Sequence, residues 1–186
     1  MHGATPTVPL PPRIWVVGPC GSGKSTVAAR LAEALGIRAT HLDEIHWKPG
    51  WIESTPEEEE AALARVLARP SWVVDGNYSA LRRPWMDAVD LFLWLDLPLN
   101  VTFPRLLRRC TVRSLKREPC CNGNYESPWR TLFDKESILL WALTTHQRRK
   151  RKLRSDLAGR PHVRLADPRA VEAWMRRVAA TGRPGC

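Results

Sequence analysis

The feature that most constrains the fold of this chain is a glycine-rich motif that directly follows a short apolar run. Ile14–Val17 (IWVV) has the composition of a buried strand, and Gly18 to Thr26 then read GPCGSGKST. This segment matches the pattern G-x-x-x-x-G-K-[ST], and Gly23–Leu35 continues with the apolar spacing of an amphipathic helix. A strand, a glycine loop and a helix in this order predict a phosphate-binding loop in an α/β domain.

The residue types of this loop indicate its chemistry. Glycines allow successive backbone N–H groups to point at phosphate oxygens, and the helix N-terminus adds a partial positive charge. We expect Lys24 to reach the β- and γ-phosphates and the Ser25 hydroxyl to bind Mg²⁺. The sequence therefore predicts ATP and Mg²⁺ as cofactors, bound by Gly18, Gly21, Ser22, Gly23, Lys24, Ser25 and Thr26.

The remainder of the chain alternates short apolar runs with stretches of helical periodicity. Further strands are predicted at Ala39–Leu42, Trp72–Val74, Leu91–Leu95 and His162–Leu165. Helices are predicted at Pro56–Ala68, about Asn100–Lys116, Asp134–Leu153 and Arg169–Ala179, with Pro104 expected to begin, kink or interrupt the second of these. Because strands and helices alternate, we expect a P-loop NTPase three-layer sandwich of about five parallel strands with helices on both faces.

Length and charge limit the functional classes. The chain has 186 residues and a net charge of +10, which suits one domain spanning 1–186, with a flexible tail over 1–12 and a short basic lid near 110–130. Pro98–Arg154 alone holds 14 basic and 4 acidic residues, as expected for a surface that meets phosphate, a nucleic acid or solvent. No apolar run approaches the ~20 residues of a membrane span, so we expect a cytoplasmic protein.

Three further predicted strands end at an aspartate, and ligands of doubly wound sheets bind beyond such ends. Asp75 is followed by Gly76 and is the expected carboxylate on the Mg²⁺ side, together with the Ser25 hydroxyl. Asp96 precedes Leu97-Pro98, a pattern that favours a turn or helix-cap role over metal binding. The sequence thus predicts one metal-side carboxylate, Asp75.

Asp43 opens a segment with two tryptophans, Trp47 and Trp51, and this segment is a candidate acceptor pocket. Asp43 could orient or deprotonate an acceptor hydroxyl beside the aromatic rings. The alternative is that the tryptophans only pack the domain and that Asp43 caps a helix. Asn77 and Tyr78, which follow Asp75-Gly76, supply further hydrogen-bonding groups on the same predicted edge.

Taken together, these motifs resemble the adenylate kinase branch of the P-loop kinases. The resemblance rests on the glycine loop, on Asp75-Gly76, on the Leu95-Asp96-Leu97-Pro98 segment and on the arginine-rich helix that follows. The segments His41-Leu42-Asp43, Trp47-Lys48-Pro49-Gly50-Trp51 and Asp75-Gly76-Asn77-Tyr78 are more similar still to small bacterial proteins often labelled topology modulation proteins. The resemblance extends from Ile14 to about Trp174.

This resemblance implies further roles. It implies that Asp75 orients Mg²⁺, that Arg105 and Arg109 contact the nucleotide base and the transferring phosphate, and that Arg148 is a lid arginine on the nucleotide. Adenylate kinases carry Asp-Gly-Phe-Pro-Arg, whereas here Asn77, Tyr78 and Ser79 follow the glycine, so the nearest arginines are Arg82 and Arg83. Arg82 is the expected contact to the acceptor.

The sequence thus predicts ATP-dependent phosphoryl transfer to a small molecule, a nucleotide, a nucleoside or another hydroxyl or phosphate compound. Lys24, Asp43, Arg105 and Arg109 are the expected catalytic residues. Asp43, Trp47, Trp51, Asn77, Tyr78 and Arg82 are the expected acceptor contacts. The alternative is an ATPase switch whose basic surface binds nucleic acid, and a monomer and a homodimer are both compatible with the sequence.

Overall fold

A computed structural model describes residues 11–125 and 137–181, and every structural statement below concerns these residues. The strands, in chain order, are β1 (Arg13–Val17), β2 (Ala39–His41), β3 (Trp47–Lys48), β4 (Ile52–Glu53), β5 (Trp72–Asp75), β6 (Leu91–Leu95) and β7 (His162–Leu165). The α-helices are α1 (Lys24–Ala34), α2 (Leu42–His46), α3 (Pro56–Leu67), α4 (Ser79–Arg82), α5 (Leu99–Lys116), α6 (Ile138–Asp156) and α7 (Pro168–Thr181). Two short 3₁₀ helices lie at Arg83–Ala88 and Cys121–Gly123.

Five of the strands form one parallel sheet in the order β2-β5-β1-β6-β7. The central strand β1 pairs with β5 on one side and with β6 on the other. The predicted P-loop NTPase sheet of about five parallel strands is therefore confirmed. Its order places the end of β1, and so the glycine loop, between the ends of β5 and β6.

The sheet is covered on both faces, because successive side chains of a strand point to opposite sides. Ile14 and Val16 of β1 pack with residues of α1 and α7, whereas Trp15 and Val17 pack with residues of α3 and α6. All four of these β1 side chains are fully buried. The unbroken apolar run that predicted a buried strand thus reflects burial on two sides.

Local sequence signals explain several helix boundaries. Helix α3 begins with a capping box, in which the Thr55 hydroxyl accepts from the Glu58 N–H and the Glu58 carboxylate accepts from the Thr55 N–H. Helix α5 continues through Pro104 up to Lys116, so the segment predicted as a lid near 110–130 is helical over its first residues. The expected start of α6 at 134 lies outside the described residues.

The segment between β2 and α3 differs from the sequence prediction. The strand predicted at Ala39–Leu42 ends at His41, and the chain turns at once into the short helix α2. An antiparallel hairpin follows, with Trp47 opposite Glu53 and Lys48 opposite Ile52. Asp43 therefore lies in the first turn of a helix rather than at a strand end, because the short β2 pairs only as far as Asp75 of β5.

None of the helices in residues 11–125 and 137–181 combines the length and hydropathy that a membrane span requires.

Candidate active site

The glycine loop after β1 is built by backbone geometry. Gly21 has a φ of 78°, and a Cβ at this position would lie 2.2 Å from the Thr102 carbonyl oxygen of α5. A Cβ on Gly18 would lie 2.6 Å from the Leu95 carbonyl oxygen. Both positions therefore require glycine, and the loop is pressed against the ends of β6 and α5.

The polar groups of this loop fit a phosphate ligand. Lys24 Nζ lies 3.1 Å from the Pro19 carbonyl oxygen, so the ammonium group folds back over the loop. Ser22 Oγ is buried and has no hydrogen-bond partner among the described residues, which makes the loop a cradle with unmet hydrogen-bonding capacity. Cys20 to Thr26 all line one large cleft, and Ser25 and Thr26 are exposed to solvent.

Asp75 ends β5 next to the loop and offers one free carboxylate oxygen. Asp75 is 4% exposed, and its Oδ2 atom is buried without a hydrogen-bond partner among the described residues. Because Mg²⁺ prefers oxygen ligands, the Asp75 carboxylate and the Ser25 hydroxyl fit the predicted metal side. No cluster of three or more His, Cys, Asp or Glu side chains suited to a metal occurs within the described ranges.

His41 is a site residue that the sequence analysis missed. It ends β2 beside Asp75, and its Nδ1 lies 3.1 Å from Asp75 Oδ1. This hydrogen bond raises the pKa of His41 against the opposing effect of burial. Its position near the end of a predicted strand, two residues before Asp43, was the signal that could have found it.

Residues 75–78 connect the two halves of the cleft. The Gly76 N–H donates to the Val16 carbonyl at 3.2 Å, which continues the pairing of β5 with β1. The Asn77 side-chain amide then pairs with both polar groups of Gly18, accepting from its N–H at 3.1 Å and donating to its carbonyl at 2.5 Å. Asn77 lines the cleft, and this bidentate pair fixes the start of the glycine loop.

Tyr78 holds Asp43 on the other side of the cleft. Its hydroxyl donates to Asp43 Oδ1 at 2.8 Å across 35 positions of sequence. Burial raises the pKa of Tyr78, and the neighbouring Asp43 carboxylate raises it further, so this hydroxyl stays protonated. Asp43 itself is exposed and lines the cleft, as its expected role beside an acceptor requires.

The two tryptophans of the predicted acceptor pocket do line the cleft. Trp47 and Trp51 meet edge to face, with ring centroids 5.4 Å apart. The His46 ring lies 4.6 Å from Trp47 and 4.7 Å from Tyr78, and its Nδ1 is 2.5 Å from Glu59 Oε1. His46 therefore packs within the aromatic group and is held by α3.

A loop after α5 is fastened to this aromatic wall by two asparagines. Asn122 Nδ2 donates to the carbonyls of Glu44 and Trp47 at 2.7 and 2.6 Å. Asn124 accepts from the Trp51 N–H at 2.9 Å and donates to the Lys48 carbonyl at 3.0 Å. We call these contacts the asparagine clasp; it brings Cys120 and Cys121 to the cleft, and burial raises the pKa of the Cys121 thiol to about 12.

The arginines of α5 line the cleft in one row. Arg105 and Arg109, which were predicted, are joined by Arg113 at the same four-residue spacing. The row faces the glycine loop, because Gly21 packs against Thr102 and Leu106 of the same helix.

The structure places two of the predicted arginines outside the cleft lining. Arg148 is exposed and does not line the cleft, whereas its neighbour Arg149 does, with its guanidinium 4.2 Å from the Trp141 ring centroid. Arg82 is 1% exposed, and its guanidinium pairs with Asp156 at 2.8 Å instead of lining the cleft. Arg148 lies on the solvent-exposed face of α6, and Arg82 is buried at the end of α4.

The helix-cap interpretation of Asp96 is wrong. Asp96 is buried, and its carboxylate pairs with Arg164 of β7 and with Lys150 of α6 at 3.1 Å. The N-cap of α5 is Pro98, which has no capping side chain. Asp96 therefore stabilises the junction of β6, β7 and α6.

The glycine loop, Asp75, the arginines of α5, Asp43, the two tryptophans and Tyr78 line one cleft of about 1120 Å³. Typical small-molecule sites enclose about 300–1,000 Å³, so this volume leaves room for a nucleotide and a second small ligand. We call the glycine loop, Asp75 and the arginines of α5 the nucleotide side. We call α2, the β3–β4 hairpin, Tyr78, Cys120 and Cys121 the acceptor side.

Comparisons with known proteins agree with this geometry. No family model matches the chain. Among solved structures, a gluconokinase from Sinorhizobium meliloti 1021 matches with a TM-score of 0.54 and 21% identity, covering 94% of this chain and 93% of that one. A shikimate kinase from Acinetobacter baumannii in complex with shikimate matches with a TM-score of 0.55 and 20% identity, covering 90% of each chain. The fold is therefore the α/β fold of the P-loop kinases.

One curated relative is similar to this chain over part of its length. Shikimate kinase 2, chloroplastic, of Oryza sativa subsp. japonica is 29% identical over 141 residues, which are 68% of this chain. The match covers 45% of that protein, so the chain spans less than half the length of this relative.

Proposed function

We propose that this chain transfers the γ-phosphoryl group of ATP to a hydroxyl of a small-molecule acceptor. The observation that carries the proposal is that the glycine loop and the Tyr78-held carboxylate of Asp43 open into one cleft. Phosphoryl transfer needs positioning and charge stabilisation more than covalent chemistry, and both sides of this cleft offer them. The names of the relatives, shikimate kinase and gluconokinase, support the same reaction class.

On the nucleotide side, Lys24 binds the β- and γ-phosphates, and the backbone N–H groups of the loop donate hydrogen bonds to the phosphate oxygens. Ser25 and Asp75 would hold Mg²⁺, which would supply charge neutralisation at the phosphates. Arg105 and Arg109 of α5, together with Arg149 of α6, close over the group in transfer, where a guanidinium can bind two phosphate oxygens at once.

On the acceptor side, Asp43 orients the acceptor hydroxyl and accepts its proton. A bond forms between that oxygen and the γ-phosphorus while the bond from this phosphorus to the β,γ-bridging oxygen breaks, leaving ADP. Tyr78 keeps Asp43 in place because its hydroxyl donates to one carboxylate oxygen and leaves the other for the acceptor. Asn77 acts as a positioning residue, since its amide is engaged with Gly18.

The finer parts of the proposal are the acceptor class and the cellular setting. We propose a nucleotide or nucleoside as the acceptor, because Trp47, Trp51 and Tyr78 offer flat faces beside Asp43. The resemblance to topology modulation proteins, the cytoplasmic location and the monomeric or homodimeric state stay predictions.

Measurement of ATP consumption with Mg²⁺ tests the proposal. The acceptors are nucleosides, nucleoside monophosphates and small hydroxyl metabolites, and Lys24→Ala is the control. Stimulation by one acceptor, with a phosphorylated product seen by mass spectrometry, is the expected result. Equal turnover in Lys24→Ala would refute the assignment of the loop.

A second candidate is an ATPase switch that binds nucleic acid. The observation that favours it is the outer face of α6, where Arg148, Arg151 and Arg154 are exposed at three-residue spacing. Hydrolysis without an acceptor, raised by added nucleic acid and lost steeply with salt, would support this candidate. The kinase remains the better-supported proposal, because the cleft holds a placed carboxylate on its acceptor side.

A further inference from the structure

The two sides of the cleft carry opposite charge. The nucleotide side presents Lys24, Arg105 and Arg109, with Arg113 further along the same row. The acceptor side presents the carboxylates of Asp43 and Glu44, both exposed and both in the first turn of α2. An acceptor therefore binds beside a wall of the cleft that carries two negatively charged side chains.

Further carboxylates stand behind this wall. Glu59 of α3 contacts His46 directly, and its charge contributes to raising the pKa of Tyr78. The Asp43 carboxylate contributes in the same way at Tyr78 and at Cys121. The negative field therefore reaches across the acceptor side from α2 to the Cys121 loop.

Basic side chains beside the acceptor side are engaged, most of them by carboxylates; Lys152 instead donates to the Ser79 hydroxyl at 2.7 Å. Lys48 of the hairpin pairs with Glu58 at 2.5 Å. Arg82 and Arg83, which follow Tyr78, both pair with Asp156, at 2.8 and 3.3 Å. The segment that follows Tyr78 thus directs both of its arginines at Asp156 of α6.

Arg149 of α6 is a half-buried cation that lines the same cleft. Its guanidinium lies 4.2 Å from the Trp141 ring centroid, and it shares the cleft lining with Cys20 of the glycine loop and Tyr78. This position suits the group in transfer rather than a second anion deep in the acceptor pocket. A permanent negative group on the acceptor thus meets Asp43 and Glu44, and the basic side chain beside them, His41, is itself hydrogen-bonded to Asp75.

The walls of the acceptor side are aromatic. Trp47 and Trp51 lie edge to face, and the His46 ring joins Trp47 to Tyr78. Flat faces of this kind suit a planar ring, which gains from stacking without needing a charge. The asparagine clasp keeps these faces in place, because it fixes the backbone of Trp47 and Trp51.

We propose that the acceptor is a nucleoside-type compound, with a planar ring and a free hydroxyl and without a phosphate or carboxylate. Asp43 and Glu44 reject nucleoside monophosphates and carboxylated polyols by like-charge repulsion, which is a common source of specificity. This inference rests on the proposed phosphoryl transfer and narrows its acceptor.

Matched pairs of acceptors test the inference directly. Adenosine, guanosine, cytidine, uridine and thymidine are each compared with their 5′-monophosphates, and shikimate and gluconate serve as carboxylated polyols. Dissociation constants are measured by calorimetry with the nucleotide side filled by a non-hydrolysable ATP analogue and Mg²⁺. This keeps the monophosphates from binding at the glycine loop instead.

The expected result is that at least one nucleoside binds about 10-fold more tightly than its own monophosphate. Equal or tighter binding of the monophosphate in every pair that binds overturns the inference. It is also overturned if shikimate or gluconate binds and no nucleoside does. Binding by neither member of any pair overturns it too, because the planar-ring class is then excluded.

A charge variant with a matched control locates the cause. Glu44→Gln removes one carboxylate from the cleft wall. It should lower the ratio of the monophosphate dissociation constant to the nucleoside dissociation constant, here called the gap, by about 3-fold. Glu60→Gln makes the same change on an exposed position of α3 that does not line the cleft, and should leave the gap unchanged. An unchanged gap in Glu44→Gln would refute the role of Glu44.

Failure of this inference and failure of the proposed function give different results. If no compound yields an ATP-dependent phosphorylated product although ATP binds, the proposed function fails. If a phosphorylated product forms from a monophosphate or a carboxylated polyol in preference to every nucleoside, the proposed function stands and only the acceptor class is wrong.

Discussion

The nucleotide side and the acceptor side of the cleft are built in different ways. The nucleotide side is centred on one continuous segment, Gly18–Thr26, whose shape depends on backbone conformation and on close contacts at Gly18 and Gly21. The acceptor side is assembled from side chains of segments far apart in sequence, joined by hydrogen bonds such as Tyr78 to Asp43 and Asn124 to Trp51.

This difference teaches which substitutions each side tolerates. A continuous glycine loop fails when a side chain is added, because the backbone has no space to move. An assembled wall fails when a connecting side chain is removed, because the groups it holds lose their orientation. The two sides can therefore be disabled separately, and each of the following substitutions tests that separation.

Substitution of Lys24 by alanine should have the largest effect on turnover. We expect kcat to fall by about 1000-fold or more, because the ammonium group stabilises the β- and γ-phosphates in the transition state. Turnover is measured by ADP release with the best acceptor. Arg38→Ala, which removes a positive charge from an exposed position that does not line the cleft, should retain normal turnover.

Substitution of Asp43 by asparagine should separate catalysis from nucleotide binding. We expect kcat to fall by about 100- to 1000-fold, since the amide cannot accept the hydroxyl proton. The ATP dissociation constant should stay within about 2-fold, because Asp43 lies on the acceptor side. A large loss of ATP affinity in calorimetry would instead place Asp43 on the metal side.

Addition of a methyl group at Gly21 tests the backbone basis of the nucleotide side. Gly21→Ala should cost about 3 kcal/mol of unfolding free energy, from strain at positive φ and from the clash with Thr102. Gly36→Ala has a similar φ of 66° but no atom within 4 Å of its Cβ, and should cost only about 1–2 kcal/mol. Equal losses in urea unfolding would show that strain alone matters at Gly21.

Neighbouring arginines of α6 offer a matched pair. Arg149→Lys should lower kcat by about 10- to 100-fold, because lysine keeps the charge but loses the planar fork that binds two phosphate oxygens. Arg148→Lys should change kcat by less than about 2-fold, since Arg148 does not line the cleft. The opposite ranking would restore the original assignment of Arg148.

The same contrast explains how far the sequence predicts the molecule. The bounds of β6 were predicted to the residue, because its apolar run lies between Asp90 and Asp96; the bounds of β7 also match, although His162 and Arg164 make that strand only partly apolar. Helix α3 was predicted by Thr55 and Pro56, which act on their own helix terminus. The glycine loop was predicted because its motif and its geometry occupy the same nine residues.

The acceptor side was predicted less well because its geometry is not local. The turn from β2 into α2 depends on where the pairing with β5 stops. No residue type near Leu42 predicts this turn. The partners of Asn122 and Asn124 lie 73 to 78 positions away in sequence. Arg149 could have been found, since it continues the inward face of α6 that includes Leu139, His146 and Leu153.

The smallest effect we expect comes from the asparagine clasp. Asn124 is 4% exposed and bonds to the backbone of both Trp51 and Lys48, so Asn124→Ala leaves an N–H and a carbonyl of the hairpin without their partner. We expect the KM for the acceptor to rise by about 10-fold, equivalent to roughly 1.4 kcal/mol, while the KM for ATP is unchanged.

The control for this experiment is Asn100→Ala, at an exposed position of α5 that does not line the cleft. It should leave both KM values unchanged. A rise in both KM values in Asn124→Ala would mean that the clasp supports the whole cleft. In that case the two sides are mechanically coupled, and the independence argued from their different construction does not hold. A rise confined to the acceptor would show that the hairpin and the loop after α5 form a separate wall, whose shape the nucleotide side does not sense.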